Sequence, residues 1–181
     1  MIGKAFGVAL LLLTMWLSPA FGQSKVEDYY YQEGELNTWT TDEVGKQDFK
    51  SGTTGVKRVR VGRHPGYDRV VLEFDQGTPN YWVNYEKIPI SLYGDQQIKV
   101  RGKAAIEISM SPVLYSEKNY NTPVAPIKRR GSRLRTPLIT EVWSLGWFEG
   151  EVMYAIGLNS RRPFRVQTFS NPDRLVIEFK R

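Results

Sequence analysis

The sequence predicts an all-β protein built as an antiparallel sandwich or barrel, and three observations support this prediction. Apolar residues alternate with polar ones at a period of two from Val56 onward, as in Val70, Leu72 and Phe74, which share one face of a strand. Turn residues recur between such stretches, and no segment shows the 3.6-residue period of an amphipathic helix. We therefore expect about nine short strands in residues 56–181.

The predicted strands follow one another with turn residues between them. His64-Pro65-Gly66 separates the first two strands, and Asn171-Pro172-Asp173 precedes the last. The nine strands are predicted at residues 58–61, 70–74, 81–85, 98–101, 104–110, 138–143, 152–158, 164–169 and 174–179. Residues 111–137 contain four prolines and are predicted to form a long loop, because proline is excluded from central strands and helix interiors.

The N-terminus predicts export. Lys4 supplies one positive charge before the apolar run 5–17, and Ala20 and Gly22 fit the small-residue rule for cleavage. We expect a signal peptide at 1–22, cleaved after Gly22, and a mature protein in the periplasm or outside the cell. The apolar run is shorter than the ~17–25 residues that span a bilayer, so an uncleaved anchor is the weaker alternative. No later segment reaches spanning length, so we expect no transmembrane span in the mature chain.

Charge divides the rest of the chain into two parts. Residues 23–55 carry seven acidic and three basic side chains without a helix or strand period, and we interpret them as a flexible acidic leader. The alternative is that these acidic residues fold back on the basic domain. Residues 56–181 carry 21 basic and 12 acidic side chains and are expected to form the folded domain. This positive charge favours anionic partners, and export argues against intracellular nucleic acid.

The composition excludes several kinds of chemistry. The chain has no cysteine and one histidine, so disulfide scaffolds, thiol catalysis, Cys-ligated zinc and His-rich metal sites are ruled out. No serine lies in a nucleophile-elbow pattern. We therefore expect a protein that is not an enzyme and needs no cofactor. A carboxylate pair such as Glu141 and Glu149, suited to glycoside chemistry, stays open.

One heptapeptide occurs twice in similar form. Residues 68–74 read Asp-Arg-Val-Val-Leu-Glu-Phe, and residues 173–179 read Asp-Arg-Leu-Val-Ile-Glu-Phe. The repetition predicts two related halves with an internal two-fold repeat. We expect the two strands in equivalent places of two sheets, with each Asp capping a turn and each Arg at a sheet margin.

The first candidate site surrounds the single histidine. Its members are Arg63, His64, Tyr67, Asp68 and Arg69. A histidine oriented by an aspartate acts as a general base in some enzymes, and the two arginines and the tyrosine suit ligand contact. The alternative is a structural turn at Pro65-Gly66, across which His64 and Asp68 hydrogen-bond to each other.

The second candidate site is a basic segment at the end of the predicted loop 111–137. Its members are Lys128, Arg129, Arg130, Arg133 and Arg135. Guanidinium groups bind phosphate and carboxylate bidentately, so the segment suits teichoic acids, glycan carboxylates or phospholipid head groups. A solvated loop or a processing site is the alternative.

The third candidate site is aromatic. Trp147 precedes a predicted turn at Glu149-Gly150, and a tryptophan at a hairpin tip is available to stack on a sugar. We expect Trp147 and Glu149 to contact ligand, and truncation of Trp147 to weaken glycan binding with little loss of stability. Packing in the core is the alternative for Trp147.

Several of these stretches together resemble the AMIN-like domain. They are residues 59–74, the Phe148-Glu149-Gly150 turn, and residues 163–166 and 172–179, and the resemblance covers about residues 56–181. It implies a non-catalytic sandwich of two sheets that localises its host in the bacterial envelope. The related AMIN domain of cell-wall amidases and pilus secretins binds peptidoglycan. This chain carries neither a lipobox cysteine nor an amidase domain.

Together these observations predict an exported binding module that associates with the bacterial cell envelope. Its expected partner is cell-wall glycan, either peptidoglycan or an anionic polymer attached to it. The alternative is a protein-interaction module, an inhibitor or assembly factor, whose edge strands and Trp147 turn dock an envelope protein.

Overall fold

The computed structural model describes residues 37–48, 52–92, 96–113 and 136–181, and these residues form eleven strands and no helix. The strands are β1 (Val44–Lys46), β2 (Val56–His64), β3 (Tyr67–Phe74), β4 (Asn80–Glu86), β5 (Ile90–Ser91), β6 (Gln97–Ile98), β7 (Ala104–Ser111), β8 (Ile139–Phe148), β9 (Glu151–Leu158), β10 (Phe164–Phe169) and β11 (Arg174–Lys180). The predicted all-β class is confirmed. Within these ranges no helix offers the length and apolarity needed to cross a membrane. The predicted signal peptide lies outside them.

The strands form two main antiparallel sheets that pack as a sandwich. The five-stranded sheet has the order β1-β4-β7-β9-β8, and the four-stranded sheet has the order β10-β11-β3-β2. A small third sheet joins β5 and β6. The expectation of a two-sheet β-sandwich is confirmed.

One hydrophobic core between the two main sheets explains the period of two. In β3, Val70, Leu72 and Phe74 point into the sandwich and are at most 2% exposed. They share this core with Tyr81 and Ile108 of the five-stranded sheet, which are fully buried. Successive side chains of a strand point to opposite faces, so Val71 and Glu73, which lie between them, point to the outer face of the four-stranded sheet.

A smaller hydrophobic cluster lies on the outer side of the five-stranded sheet. It contains Ile90, Val100, Ala105, Leu145 and Ala155. The turn before β7 also packs closely here, since a Cβ added to Gly157 would lie 2.1 Å from the carbonyl oxygen of Arg101. The connection from β4 to β7 therefore covers part of this face.

The structure has more strands than the sequence predicts because β1 and β5 are very short. They contain three and two residues, which is too few to show a period of two. The strand predicted at 98–101 is also short, since β6 ends at Ile98. Strands of this length depend on their partners, which a local pattern does not reveal.

Part of the segment interpreted as an acidic leader lies on the sandwich. Val44–Lys46 pairs with β4, and the backbone of Thr40 exchanges hydrogen bonds of 2.7 and 2.8 Å with Phe164 of β10. Residues 37–46 therefore contact an edge strand of the four-stranded sheet and then join the five-stranded sheet. The expectation that this segment lacks a strand is wrong at β1, which is too short to have a pattern of its own.

The repeated heptapeptide forms two neighbouring strands of one sheet. β3 pairs antiparallel with β11, so Arg69 lies opposite Glu178, and Glu73 lies opposite Arg174. The expectation that the two copies occupy two sheets is wrong. An antiparallel pair of similar sequences has a local two-fold axis, which sets the Arg of each copy against the Glu of the other.

Candidate functional site

The β2–β3 hairpin places the single histidine against a tyrosine. Pro65 and Gly66 form its two-residue turn, and Gly66 has φ +82°, a value that favours glycine. The turn pairs His64 with Tyr67, whose rings stack with centroids 4.9 Å apart and planes 12° apart. Both side chains are half-buried on the outer face of the four-stranded sheet. The predicted turn is therefore present, and it positions a flat pair of rings.

A buried carboxylate lies on the same face. Glu178 of β11 has Arg69 of β3 and Arg165 of β10 as its direct cross-strand partners. Arg69 donates to Oε1 from Nε, at 2.8 Å, and from Nη2, while Arg165 donates to Oε2 from Nε. Glu178 is fully buried, whereas the side chains of Arg69 and Arg165 are 31% and 24% exposed. The two ion pairs fix the positions of both guanidinium groups.

Aromatic rings lie against these guanidinium groups. The guanidinium carbon of Arg69 is 5.2 Å from the ring centroid of Tyr67, and Nη2 donates to Tyr67 Oη at 3.1 Å. The guanidinium carbon of Arg165 is 4.6 Å from the ring of Trp39, which precedes β1. Each such contact stabilises by about 0.5–1 kcal/mol at an exposed site. We call this set the arginine–aromatic ladder. It consists of His64, Tyr67, Arg69, Glu178, Arg165 and Trp39.

Asn37 connects the Trp39 segment to β10. Its Oδ1 accepts hydrogen bonds from Arg165 Nη1 at 3.0 Å and from Gln167 Nε2 at 2.8 Å. Its backbone N–H donates to the carbonyl oxygen of Val166 at 3.2 Å. These bonds hold residues 37–39 against the sheet and keep the Trp39 ring beside Arg165.

The ladder combines positive charge with flat surfaces. Its two guanidinium groups and one carboxylate leave one net positive charge when His64 is neutral. Each guanidinium has five N–H groups, and the bonds to Glu178, Tyr67 and Asn37 use only some of them. The others are suited to phosphate or carboxylate oxygens. Its carboxylate is engaged by two cations, so the groups that the ladder offers to a ligand are guanidinium donors and aromatic rings.

Asp68 and Arg63 of the predicted histidine site do not join the ladder. Asp68 points inward and is fully buried, with Oδ2 accepting the N–H of Leu138 at 2.9 Å and Oδ1 lying 3.6 Å from Arg181 Nε. Arg63 is exposed opposite Asp68. The expected hydrogen bond between His64 and Asp68 is wrong, because the two side chains lie on opposite faces of the hairpin. Asp68 instead ties β3 to the residue before β8.

The β8–β9 hairpin has the predicted turn, but its tryptophan packs inward. Glu149 and Gly150 have φ +48° and +85°, as a tight hairpin turn requires, and Glu149 is exposed. Trp147 is half-buried against the main core, and its Nε1 donates to the carbonyl oxygen of Val113 at 2.8 Å. The more exposed ring at this turn belongs to Phe148, at 45%. This placement favours the packing alternative for Trp147.

The predicted basic segment is not part of the structural description. Lys128, Arg129, Arg130, Arg133 and Arg135 lie outside the described residues. The segment therefore stays a sequence prediction.

Sequence reasoning missed three members of the ladder. Glu178 belongs to the repeated heptapeptide, and its position opposite Arg69 follows once the two copies pair antiparallel. Arg165 precedes the buried Val166, which indicates an outward side chain. Trp39 lies in the segment interpreted as a leader, and no pattern in the sequence indicates its contact with β10.

A carboxylate with a shifted pKa lies on the outer face of the five-stranded sheet. Glu107 of β7 pairs with Asn84 of β4 and with Ala155 of β9. Burial, with the negative charges of Glu86 and Glu151, raises the pKa of Glu107 to about 7. Its charge therefore changes near neutral pH. The described part of the chain contains no group of three His, Cys, Asp or Glu residues placed to hold a metal ion.

The fold and the ladder define a class of protein, a β-sandwich with a positively charged outer face lined by aromatic rings. Residues 54–181 match the model of the AMIN-like domain, and this is more than half of the chain. The chain therefore belongs to the AMIN-like domain family, and AMIN-like domains occur in exported proteins of the cell envelope. The match includes β2 to β11, whereas Trp39 and β1 precede it. No curated protein sequence matches the chain.

Proposed function

We propose that the chain is a non-catalytic, exported binding module of the bacterial cell envelope. We propose that it binds peptidoglycan, or an anionic polymer attached to it, through the arginine–aromatic ladder. The observation that supports this proposal is the pair of half-buried guanidinium groups that Glu178 holds between Tyr67 and Trp39. Family membership supports the envelope location.

Envelope polymers present the chemical groups that the ladder suits. Glycan strands offer sugar rings and carboxylates, and anionic wall polymers offer phosphates or further carboxylates. The rings of Tyr67 and Trp39 supply flat apolar surface, and Arg69 and Arg165 supply charged donors. Because Glu178 already fixes both guanidinium groups, binding costs less side-chain entropy than it would with free arginines.

Two further parts of this proposal rest on the sequence. The predicted signal peptide at 1–22 supports export to the periplasm or beyond the cell. The basic segment 128–135 would add a second contact with anionic polymer. Binding through the ladder or through the basic segment requires no cofactor.

Co-sedimentation with purified sacculi tests the ladder. The double variant Trp39→Ala with His64→Ala removes two rings and keeps the buried ion pairs, and we expect it to bind about fivefold more weakly. Phe169→Ala is the matched control, because Phe169 is 43% exposed on the same face and lies 5.3 Å from the guanidinium carbon of Arg174. Equal weakening of sacculus binding in the double variant and in Phe169→Ala would contradict the assignment to the ladder. Unchanged binding of the double variant would also contradict it.

Sacculi with and without attached anionic polymers, at low and high salt, separate the two contacts. Binding to bare sacculi that survives high salt supports recognition of sugar or peptide by the rings. Binding that needs the anionic polymer and disappears in salt supports a charge contact, since salt screens exposed charges. In that case we expect replacement of Arg129, Arg130, Arg133 and Arg135 by Gln to weaken this binding, and the binding that remains belongs to the ladder. An absence of binding under all conditions would refute the envelope-polymer proposal.

The non-catalytic role has its own test. Sacculi are incubated with the protein, and no other enzyme is added. The soluble fraction is then separated by liquid chromatography. We expect no muropeptide or glycan fragment above the level of a buffer control. Released fragments that increase with protein concentration would show that the chain is an enzyme.

A further inference from the structure

One edge of the four-stranded sheet is long and has a single neighbour. β2 spans nine residues, the longest strand of this sheet, and among the described residues it pairs only with β3. An exposed strand edge presents a row of N–H and C=O groups on which another strand can pair.

The register shows which backbone groups of β2 point outward. His64 pairs with Tyr67 across the two-residue turn, so His64 and every second residue before it hydrogen-bond to β3. The N–H and C=O groups of the intervening residues Val59, Val61 and Arg63 point away from β3. These groups have no hydrogen-bond partner among the described residues. These outward backbone groups span residues 59–63, where the register of β2 with β3 is regular.

The side chains of this edge are basic. Lys57, Arg58, Arg60 and Arg63 are all exposed, and β2 contains no acidic residue. Arg60 has an ion pair with Glu73 at 3.3 Å, and its side chain is still 48% exposed. Opposite charges in directly facing positions of neighbouring strands stabilise pairing by about 0.2–1 kcal/mol each. An added strand therefore pairs best when acidic residues face Arg58 and Arg60.

The middle of this edge is apolar on its inner side. Val59 and Val61 are only partly buried, and they pack against the main core. An added strand would place every second side chain beside these valines. Apolar residues at those positions would remove further apolar surface from water.

We propose that the free edge of β2 binds an extended segment of a partner protein in which acidic and apolar side chains alternate. The segment adds a strand to the sheet, with its acidic residues beside Arg58 and Arg60 and its apolar residues beside Val59 and Val61. A second copy of this chain does not fit, because pairing β2 with β2 brings like charges together. The same cations oppose pairing with basic strands, so the edge is selective by charge.

This interaction is independent of the arginine–aromatic ladder. Its backbone contacts lie along the sheet edge, whereas the ladder lies on the sheet face. We therefore expect Trp39→Ala to leave peptide binding unchanged. Failure of one proposal does not affect the other.

Peptide binding to the full chain tests the proposal. The probe is a fluorescent seven-residue peptide of alternating Glu and Val. The controls are a peptide with the same residues in two blocks and a peptide of alternating Lys and Val. Fluorescence anisotropy should show binding of the alternating acidic peptide and at least about fivefold weaker binding of both controls. Equal binding of the block peptide would overturn the proposal, because it would show attraction by charge without strand pairing.

Hydrogen exchange locates the added strand without any substitution. Saturating alternating acidic peptide should slow exchange of the backbone N–H groups of Val59, Val61 and Arg63, which point outward in the free protein. Binding that leaves these three groups unprotected would overturn the proposal. Protection that appears without peptide and increases with protein concentration would indicate a second copy as the occupant, which also contradicts it.

Charge reversal tests the specificity of the edge. Arg58→Glu with Arg60→Glu should weaken binding of the acidic peptide about tenfold and allow the Lys–Val peptide to bind. Lys87→Glu with Lys103→Glu is the matched control, since it makes the same change in net charge at exposed residues outside this sheet. Equal weakening by the control pair would show a long-range charge effect and overturn the assignment to β2.

Discussion

The substitution Glu178→Gln tests how much the arginine–aromatic ladder contributes to the stability of the sandwich. The variant keeps the shape of the side chain but removes its charge and one of its two acceptor oxygens. In the native protein these oxygens accept from Arg69 Nε and Nη2 and from Arg165 Nε. Glutamine therefore leaves at least one guanidinium without its partner.

The structure gives the expected size of the loss. Removing one partner of a buried ion pair costs about 3–5 kcal/mol. Here the carboxylate is fully buried, but the side chains of Arg69 and Arg165 are 31% and 24% exposed, so water compensates part of the loss. We therefore expect Glu178→Gln to lower the free energy of unfolding by about 3 kcal/mol, which corresponds to a decrease in Tm of about 10 °C.

Urea unfolding followed by tryptophan fluorescence measures this loss, with Glu73→Gln as the control. Glu73 occupies the equivalent position in the other copy of the heptapeptide, but its ion-pair partner among the described residues, Arg60, is 48% exposed. Glu73 is itself buried, but Arg60 stays solvated when the pair is lost, so we expect Glu73→Gln to cost less than Glu178→Gln, about 1–2 kcal/mol. A loss below about 1 kcal/mol for Glu178→Gln, or equal losses for the two variants, would refute the reasoning.

Three further predictions concern other parts of the sandwich. The pKa of Glu107 is raised from about 4.5 to about 7 in the folded protein, so the unfolded chain loses this proton first and stability falls as the pH rises between these values. Each pKa unit corresponds to about 1.4 kcal/mol, and solvent screening at this partly exposed group lowers the total. In urea unfolding Glu107→Gln should therefore stabilise by about 1–2 kcal/mol at pH 8 and hardly at pH 4, and equal effects at both would contradict this account. Gly157→Ala should destabilise by roughly 2–3 kcal/mol, because the new Cβ would meet the carbonyl oxygen of Arg101, and an unchanged urea midpoint would show that this turn moves freely. Trp147→Ala should lower the unfolding free energy by about 2–3 kcal/mol by thermal denaturation, whereas unchanged stability with weaker glycan binding would support the sequence-based assignment.

The fold class was predictable because alternation in the long strands is a local signal. Val70, Leu72 and Phe74 indicate one buried face without reference to any other strand. β1 gives no such signal, since its three residues are stabilised by pairing with β4. The pairing of β3 with β11 was also hidden, because two similar strands fit one sheet as readily as two sheets until the register is known.

The candidate site was predictable only where its residues are neighbours in the sequence. His64, Tyr67 and Arg69 lie close together in sequence, and a hairpin keeps such residues close in space. Glu178 and Arg165 reach them only through the order of strands in the sheet. The position of Trp39 beside Arg165 depends on residues 37–40, which lie outside the regular strands. The sequence contains no period and no turn signal for them.

The position of residues 37–40 limits how the four-stranded sheet assembles. Asn37 and Thr40 hydrogen-bond to Val166 and Phe164, so the chain itself occupies this part of the β10 edge. Head-to-tail growth of a filament needs two complementary free edges on every copy. With residues 37–40 on part of the β10 edge, we expect this sheet to accept an added strand on its β2 side, so that it ends a run of paired strands and does not link two partners.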